Sequence, residues 1–335
     1  MKDTVPQCYL GIDMGGTAIK ALCLQGDGKI LVRKQVPTQS HEGSEAVIRR
    51  LIRLIGDVVG DLKDKRKVVG VGIAVAGVVD KESGTVLLLP NFPGLWQGIP
   101  LGPRLQDHFK VPSFVINDAR AATLGEKTFG AGQQSNNMVM LTLGTGVGGG
   151  IIIDGELYFG SEGHAGEVGH QTIDPDGPLC GCGNKGCLEA LASGPAIASM
   201  GVRAVKQGMT TSIRDLAGGD LDNISPKTIA DAASDGDAVA NWIIRTAGSY
   251  IGIGIANLAV ILNPDTVVVG GGVAKAGDLL FRAIEETVDQ RVCIFAGGRG
   301  TVRIVPAALG EEAGAIGAAV WAMKKVQRTP AAVAK

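Results

Sequence analysis

The chain has 335 residues, 19% of them charged, and a formal net charge of -1, so it presents no basic footprint for nucleic acid. Aromatic residues make up only 4%, too few for a base-stacking surface, and the longest apolar helix candidate, near residues 251–262, is too short for a membrane span. A chain of this length suggests two lobes, and its 51 glycines, about twice average usage, cluster in short motifs where backbone can approach a ligand closely. The first residues, MKDTVPQCYLGID, hold no apolar signal region, which fits a cytoplasmic protein. In a reducing compartment the six cysteines point to metal or to chance, with Cys8, Cys23 and Cys293 read as buried small hydrophobes.

In chain order, residues 9–13, 18–24 and 29–36 read as three strands, the last two joined by Gly26, Asp27 and Gly28. Between the first two, Gly15 and Gly16 make a turn whose free N–H groups suit phosphate oxygens; Thr17 adds a hydroxyl and Lys20 a charge. A ligand-free glycine hairpin would look much the same. Residues 45–62 carry a helical apolar stripe, and residues 68–76 form a buried parallel strand ending at Gly77. The segment NFPGLWQGIPL, from Asn91, reads as a connecting loop. Residues 113–116 form a strand running into Asn117 and Asp118, where a helix begins. From position alone, Asp118 is equally a helix cap or a carboxylate at the ligand side of an open sheet.

Residues 141–160, LTLGTGVGGGIIIDGELYFG, repeat the plan of strand, Gly/Thr turn, strand, Asp-Gly turn, strand, so the chain reads as duplicated. No GxxxxGK[ST] loop is present, and phosphate would be held by hairpin turns instead. Helices follow at residues 194–206, 227–234 and 237–262. A strand at 266–269 then runs into the GGGV turn, with a last strand at 301–305 and a final helix at 311–325. The tail after Arg328 reads as disordered.

The densest motif is GHAGEVGHQTIDPDGPLCGCGNKGCLE, residues 163–189. Cys180, Cys182 and Cys187 sit close together with Gly181, Gly183 and Gly186 between them, so the backbone can aim three sulfurs at one point, and His170 can supply a fourth ligand. A closed, thiolate-rich set of four favours structural Zn²⁺.

These residues, matching GHxGExGH and then CxCGxxGCxE, resemble the ROK family of sugar kinases and sugar-responsive repressors. The resemblance implies an α/β fold of the two-lobed, actin-like (ribonuclease H-like) ATPase type, with a duplicated mixed sheet and an interlobe cleft. The expected lobes are residues 1–118 with a returning helix at 311–326, and residues 119–310 with the zinc loop at 163–189. The implied activity is ATP-dependent phosphorylation of a hexose, glucose first, with N-acetylmannosamine, N-acetylglucosamine, allose or mannose as alternatives. Asp118 would be the general base. Asn91, Asn117, Asp118, Glu167, His170 and Glu189 would hold the sugar. Asp13, Gly15, Gly16, Thr17 and Lys20 in one lobe, and Thr142, Gly144, Thr145, Gly146, Gly148, Gly149, Gly271 and Gly272 in the other, would hold ATP, with Asp13 near Mg²⁺. A homodimer is the family's habit. A sugar-sensing repressor is the rival from another class; it would carry a DNA-binding domain ahead of the first strand, where this sequence leaves no room.

Overall fold

The computed structural model describes residues 6–62, 66–90, 92–94, 96–294, 300 and 302–328. Asn91, Thr301 and the tail after Arg328, all named above, lie outside the described residues. Two compact units divide the chain: residues up to Gln133 with Gly160–Gly163 and everything from Ala308 on, and Gln134–Phe159 with His164–Ala307.

In the first unit, β1 (Gln7–Met14), β2 (Ala18–Gln25) and β3 (Ile30–Pro37) form an antiparallel meander. Helix α1 (Ser44–Gly60) then leads to β4 (Lys67–Val75). The small hairpin of β5 (Val78–Asp80) and β6 (Thr85–Leu88) precedes α2 (Leu101–Phe109), β7 (Ser113–Asn117) and α3 (Asp118–Phe129). The sheet order is β3-β2-β1-β4-β7, with β4 and β7 parallel to β1. One face of this sheet buries Leu10, Ile12, Ile73 and Val115 together with Leu51, Leu54 and Ile55 of α1, whose stripe recurs at helical spacing.

The second unit repeats the order. Strands β8 (Met138–Leu143), β9 (Val147–Ile153) and β10 (Glu156–Tyr158) form the meander. Asp154 at φ 50° and Gly155 at φ 79° make the tight turn between the last two, the conformation a two-residue hairpin demands. Five helices intervene: α4 (Leu188–Ala192), α5 (Gly194–Lys206), α6 (Ile213–Leu216), α7 (Pro226–Ser234) and α8 (Ala238–Leu262). Strand β11 (Thr266–Gly270), helix α9 (Asp278–Arg291) and strand β12 (Arg303–Pro306) complete the unit. Its sheet order, β10-β9-β8-β11-β12, is that of the first sheet, and again the last two strands run parallel to the first of the meander. The duplication legible at residues 141–160 therefore extends to the whole sheet.

Helix α8 is longer than the apolar run near 251–262 suggested and is, by length and composition, able to cross a membrane. In this unit it is a core helix. Ile243, Ala247, Ile251 and Ile255 are buried, and Gly248 and Gly252 seat it against Leu280, Ala283 and Ile284 of α9. Helices α2 and α9 have no counterpart in the sequence expectations. Cys293 is exposed, which corrects its reading as a buried hydrophobe, whereas Cys8 and Cys23 are buried.

The last helix, α10 (Ala313–Arg328), belongs to the first unit, and so does α3. The boundary expected after residue 118 thus falls after Gln133 instead. The physical reason is the α3–α10 contact: the Cα of Gly317 lies against the carbonyl of Ala121, where no side chain fits. A carboxylate completes the join. Glu126, fully buried on α3, accepts Ala131 N–H at 2.8 Å, Ala308 N–H at 3.1 Å and Leu309 N–H at 2.8 Å, closing the backbone that enters α10.

Candidate functional site

In the first unit the turn after β1 is built as the sequence suggests. Gly15 N–H bonds Ala18 O at 3.1 Å, closing the turn that carries Gly16 and Thr17, both exposed. Thr38, fully buried, holds it from behind: its hydroxyl donates to Gly15 O at 2.6 Å and its N–H to Thr17 O at 2.9 Å. Nothing in the sequence marks Thr38, because its role depends on β3 ending beside that turn. Asp13 lies on β1 opposite Lys20 of β2. Burial pushes its carboxyl up to about 6, with the Lys20 charge opposing. The Lys20 ammonium itself is bound to Glu311, at 3.1 Å from Oε2 and 3.2 Å from the carbonyl, so it is committed to the start of the returning segment.

At the end of β7 the two adjacent polar residues divide their roles. Asn117 is the cap of α3: its Oδ1 accepts Arg120 N–H at 3.1 Å and its Nδ2 donates to Gly77 O at 3.2 Å. Asp118 is the first helical residue, its Oδ1 accepting Ala119 N–H at 2.8 Å. The cap that was one of two readings for Asp118 thus belongs to its neighbour.

In the second unit, Thr142 is the next-to-last residue of β8 and Gly144, Thr145 and Gly146 form the turn, with Gly144 N–H on Gly146 O at 2.9 Å. Gly148 and Gly149 lie within β9, paired with Thr142 and Leu141. Gly149 faces Val168, and its missing side chain makes room for the 166–170 loop. Gly271, at φ 92°, turns the chain against the Leu143 backbone, a path that favours glycine, and Gly272 follows it. Gly144, Thr145 and Gly272 border one cavity of about 760 Å³, whose other walls come from α5, α7 and the segment after β11. The added lining includes Pro195, Ile197, Pro226 and Val273, with the Lys227–Asp231 ion pair, 2.6 Å, beside them. These wall residues escape sequence reading because they are ordinary apolar helix positions; only folding gathers them.

Glu167 is exposed at the start of a single 3-10 turn, Val168–His170. His170, Cys180, Cys182 and Cys187 converge, with all four ligand atoms within 4.8 Å of one another. His170 Nδ1 lies 3.7 Å from Cys180 Sγ, and Cys182 Sγ lies 3.7 Å from Cys187 Sγ. Burial pushes the Cys180 thiol up to about 12 and also raises Cys187, while the Asn184 N–H lowers Cys182. This arrangement can hold a metal ion, which would displace the thiol protons. Glu189 sits on α4, two residues past Cys187; its Oε2 accepts Val147 N–H at 3.0 Å and its Oε1 lies 3.8 Å from Cys180 Sγ.

A family model described as "ROK family" matches residues 9–325. The chain belongs to the ROK family. Over 92% of its length and 95% of the relative's, this ROK chain is 38% identical to a glucokinase of Thermotoga maritima. It is also 38% identical to a xylose repressor of Caldicellulosiruptor bescii, over 84% of this chain and 70% of that protein. Among solved structures, a ROK glucokinase from Streptomyces griseus, in complex with glucose and AMPPNP, matches with TM-score 0.80 and 36% identity, covering 95% of this chain and 99% of that one. The fold is therefore that of ROK sugar kinases, the actin-like ATPase type.

Proposed function

We propose that this ROK protein is an ATP-dependent hexose kinase that converts glucose to glucose 6-phosphate. The observation that carries the reading is the cavity of about 760 Å³ bordered by Gly144, Thr145 and Gly272, a nucleotide-sized site between two glycine turns. The likeness to a glucokinase holding glucose and AMPPNP supports the same choice.

In this reading the glycine turns at residues 15–17 and 144–146 hold the phosphates by backbone N–H groups, and Asp13 holds Mg²⁺ through water. The sugar's C6 hydroxyl attacks the γ-phosphorus, its oxygen forming the new bond while the bond to the bridging oxygen breaks and ADP leaves. Asp118 accepts the hydroxyl proton. Asn117 sets the angle of α3 and so aims Asp118, while Asn91, Glu167, His170 and Glu189 take the other hydroxyls. Carboxylates and amides suit vicinal hydroxyls that both donate and accept, and a wrong epimer would leave buried partners unpaired.

Zinc suits the four-ligand set. A tetrahedral ion with Zn–S near 2.3 Å places its sulfurs about 3.8 Å apart, which the 3.7 Å between Cys182 and Cys187 supports. With His170 Nδ1 on the metal, the imidazole's other nitrogen is left for the sugar. When bound, the ion supplies no chemistry to the transfer; it ties the loop that carries Glu167 and Glu189. Placement in the cytoplasm and assembly as a homodimer complete the proposal.

The test is a coupled assay of ATP-dependent phosphorylation across glucose, mannose, allose, N-acetylmannosamine and N-acetylglucosamine. Glucose is expected to give the highest kcat/KM. A panel with no turnover, together with a gel shift on DNA, would overturn the kinase in favour of a regulator.

A further inference from the structure

The short helix α4 and the first residue of α5 together hold the turn between β8 and β9. At its start, Glu189 reaches across so that Oε2 accepts Val147 N–H at 3.0 Å; Gly146 leaves room for that carboxylate, since a Cβ there would overlap it. Just past its end, Gly194 N–H donates to Gly144 O at 2.8 Å, while the Ser193 side chain caps α5. Residues 144 to 147 are thereby held between a bond from α4 and one from the first residue of α5, which follows it after Ser193. The N-cap of α4 is Cys187, one of the four convergent ligand residues. Its backbone is pinned further: Leu188 N–H bonds Gln171 O at 3.1 Å, and Thr172 bridges to Cys187. A continuous path of short contacts therefore runs from the metal-ligand cluster through α4 to the glycine turn of the nucleotide cavity.

We infer that Glu189 is a positioning residue for the nucleotide's phosphates, in addition to any contact it makes with sugar, and that the metal loop sets nucleotide affinity through α4. The inference rests on the kinase reading above. Backbone N–H groups bind phosphate well only when the turn is already in place, since ordering it on binding would offset the gain. A carboxylate accepting a backbone N–H is among the stronger tethers available to such a turn. The bond from Glu189 needs no sugar, so its effect is separable from sugar recognition.

The experiment is titration calorimetry of AMPPNP with Mg²⁺ into metal-loaded protein in the complete absence of sugar. Wild type is compared with Glu189→Ala and Glu189→Gln, alongside hydrogen exchange of the peptide spanning 138–153. Loss of a bond to a charged acceptor predicts nucleotide affinity down about tenfold or more in Glu189→Ala, with faster exchange in that peptide. Glutamine still offers an oxygen to Val147 N–H, so Glu189→Gln is expected to recover most of the nucleotide affinity while glucose affinity stays low. Should the alanine variant not fold, Glu189→Asp, one methylene short of Val147, carries the same comparison. A Glu189→Ala protein that binds AMPPNP as wild type does and exchanges normally overturns the positioning role and leaves the kinase reading standing. Wild-type protein that takes up no AMPPNP overturns both.

Discussion

Asn117 Oδ1 accepts the Arg120 N–H at 3.1 Å, which makes Asn117, and not Asp118, the cap of α3. Capping therefore gives no reason for a carboxylate at position 118. Asp118→Asn keeps the size and the hydrogen bond to Ala119 N–H but cannot take a proton. Turnover is expected to fall about a hundredfold or more with glucose affinity retained. Asn117→Ala is expected to cost about 1 kcal/mol of stability. Calorimetry with glucose beside kcat checks the first and a denaturant melt the second; near-normal kcat in Asp118→Asn would remove the general base from the mechanism.

The four convergent ligands predict about one zinc per chain by elemental analysis. Cys182→Ala is expected to lower Tm and to weaken glucose affinity in the same variant, because loop 163–189 carries both the four convergent ligand residues and Glu167 and Glu189, the carboxylates proposed to hold the sugar. Full activity in a chelated, zinc-free preparation contradicts this.

Asp13 has a carboxyl raised from an ordinary 3.8 to about 6 by burial, with the Lys20 charge opposing. A raised folded pKa means that the favourable, protonated state is fully present below the unfolded value and is lost as pH rises through 6. In metal-free protein, Asp13→Asn is thus expected to gain stability relative to wild type between pH 4 and pH 7, read as a widening Tm difference. In the wild-type enzyme kcat/KM for Mg²⁺·ATP is expected to fall as pH drops below about 6, where Asp13 takes up a proton. A pH-independent Tm difference would show that Asp13 is not held in this state.

Glu126 accepts three backbone N–H groups, Ala131 just after α3 and Ala308 and Leu309 across the join to α10. Glutamine at 126 would turn its amide toward at least one of those donors. Glu126→Gln is expected to destabilise the protein by about 2–4 kcal/mol in a urea melt, given the usual strength of hydrogen bonds to charged acceptors and the penalty for buried donors left without partners. A change below 0.5 kcal/mol would show that the join does not depend on it.

What the sequence alone determined are the features written in short-range pattern. Alternation and apolar runs marked the strands at 9–13, 18–24 and 266–269. Helical spacing marked α1, α5 and α8, and the meander repeated at 141–160 announced the second sheet. The Cys/His cluster was legible for the same reason, since its three cysteines lie close together within one loop. Other features depended on partners far along the chain, and only the tertiary structure decided them. The cap passed from Asp118 to Asn117 by one residue of register where β7 meets α3. Lys20 was claimed by Glu311, Gly149 by Val168, and Thr38 and Glu126 found their backbone partners across loops. The cavity beside the 144–146 turn is the clearest instance. Its walls join Gly144, Pro195, Pro226 and Gly272, and no local pattern can encode a surface whose parts meet only when β8, α5, α7 and β11 pack around one core.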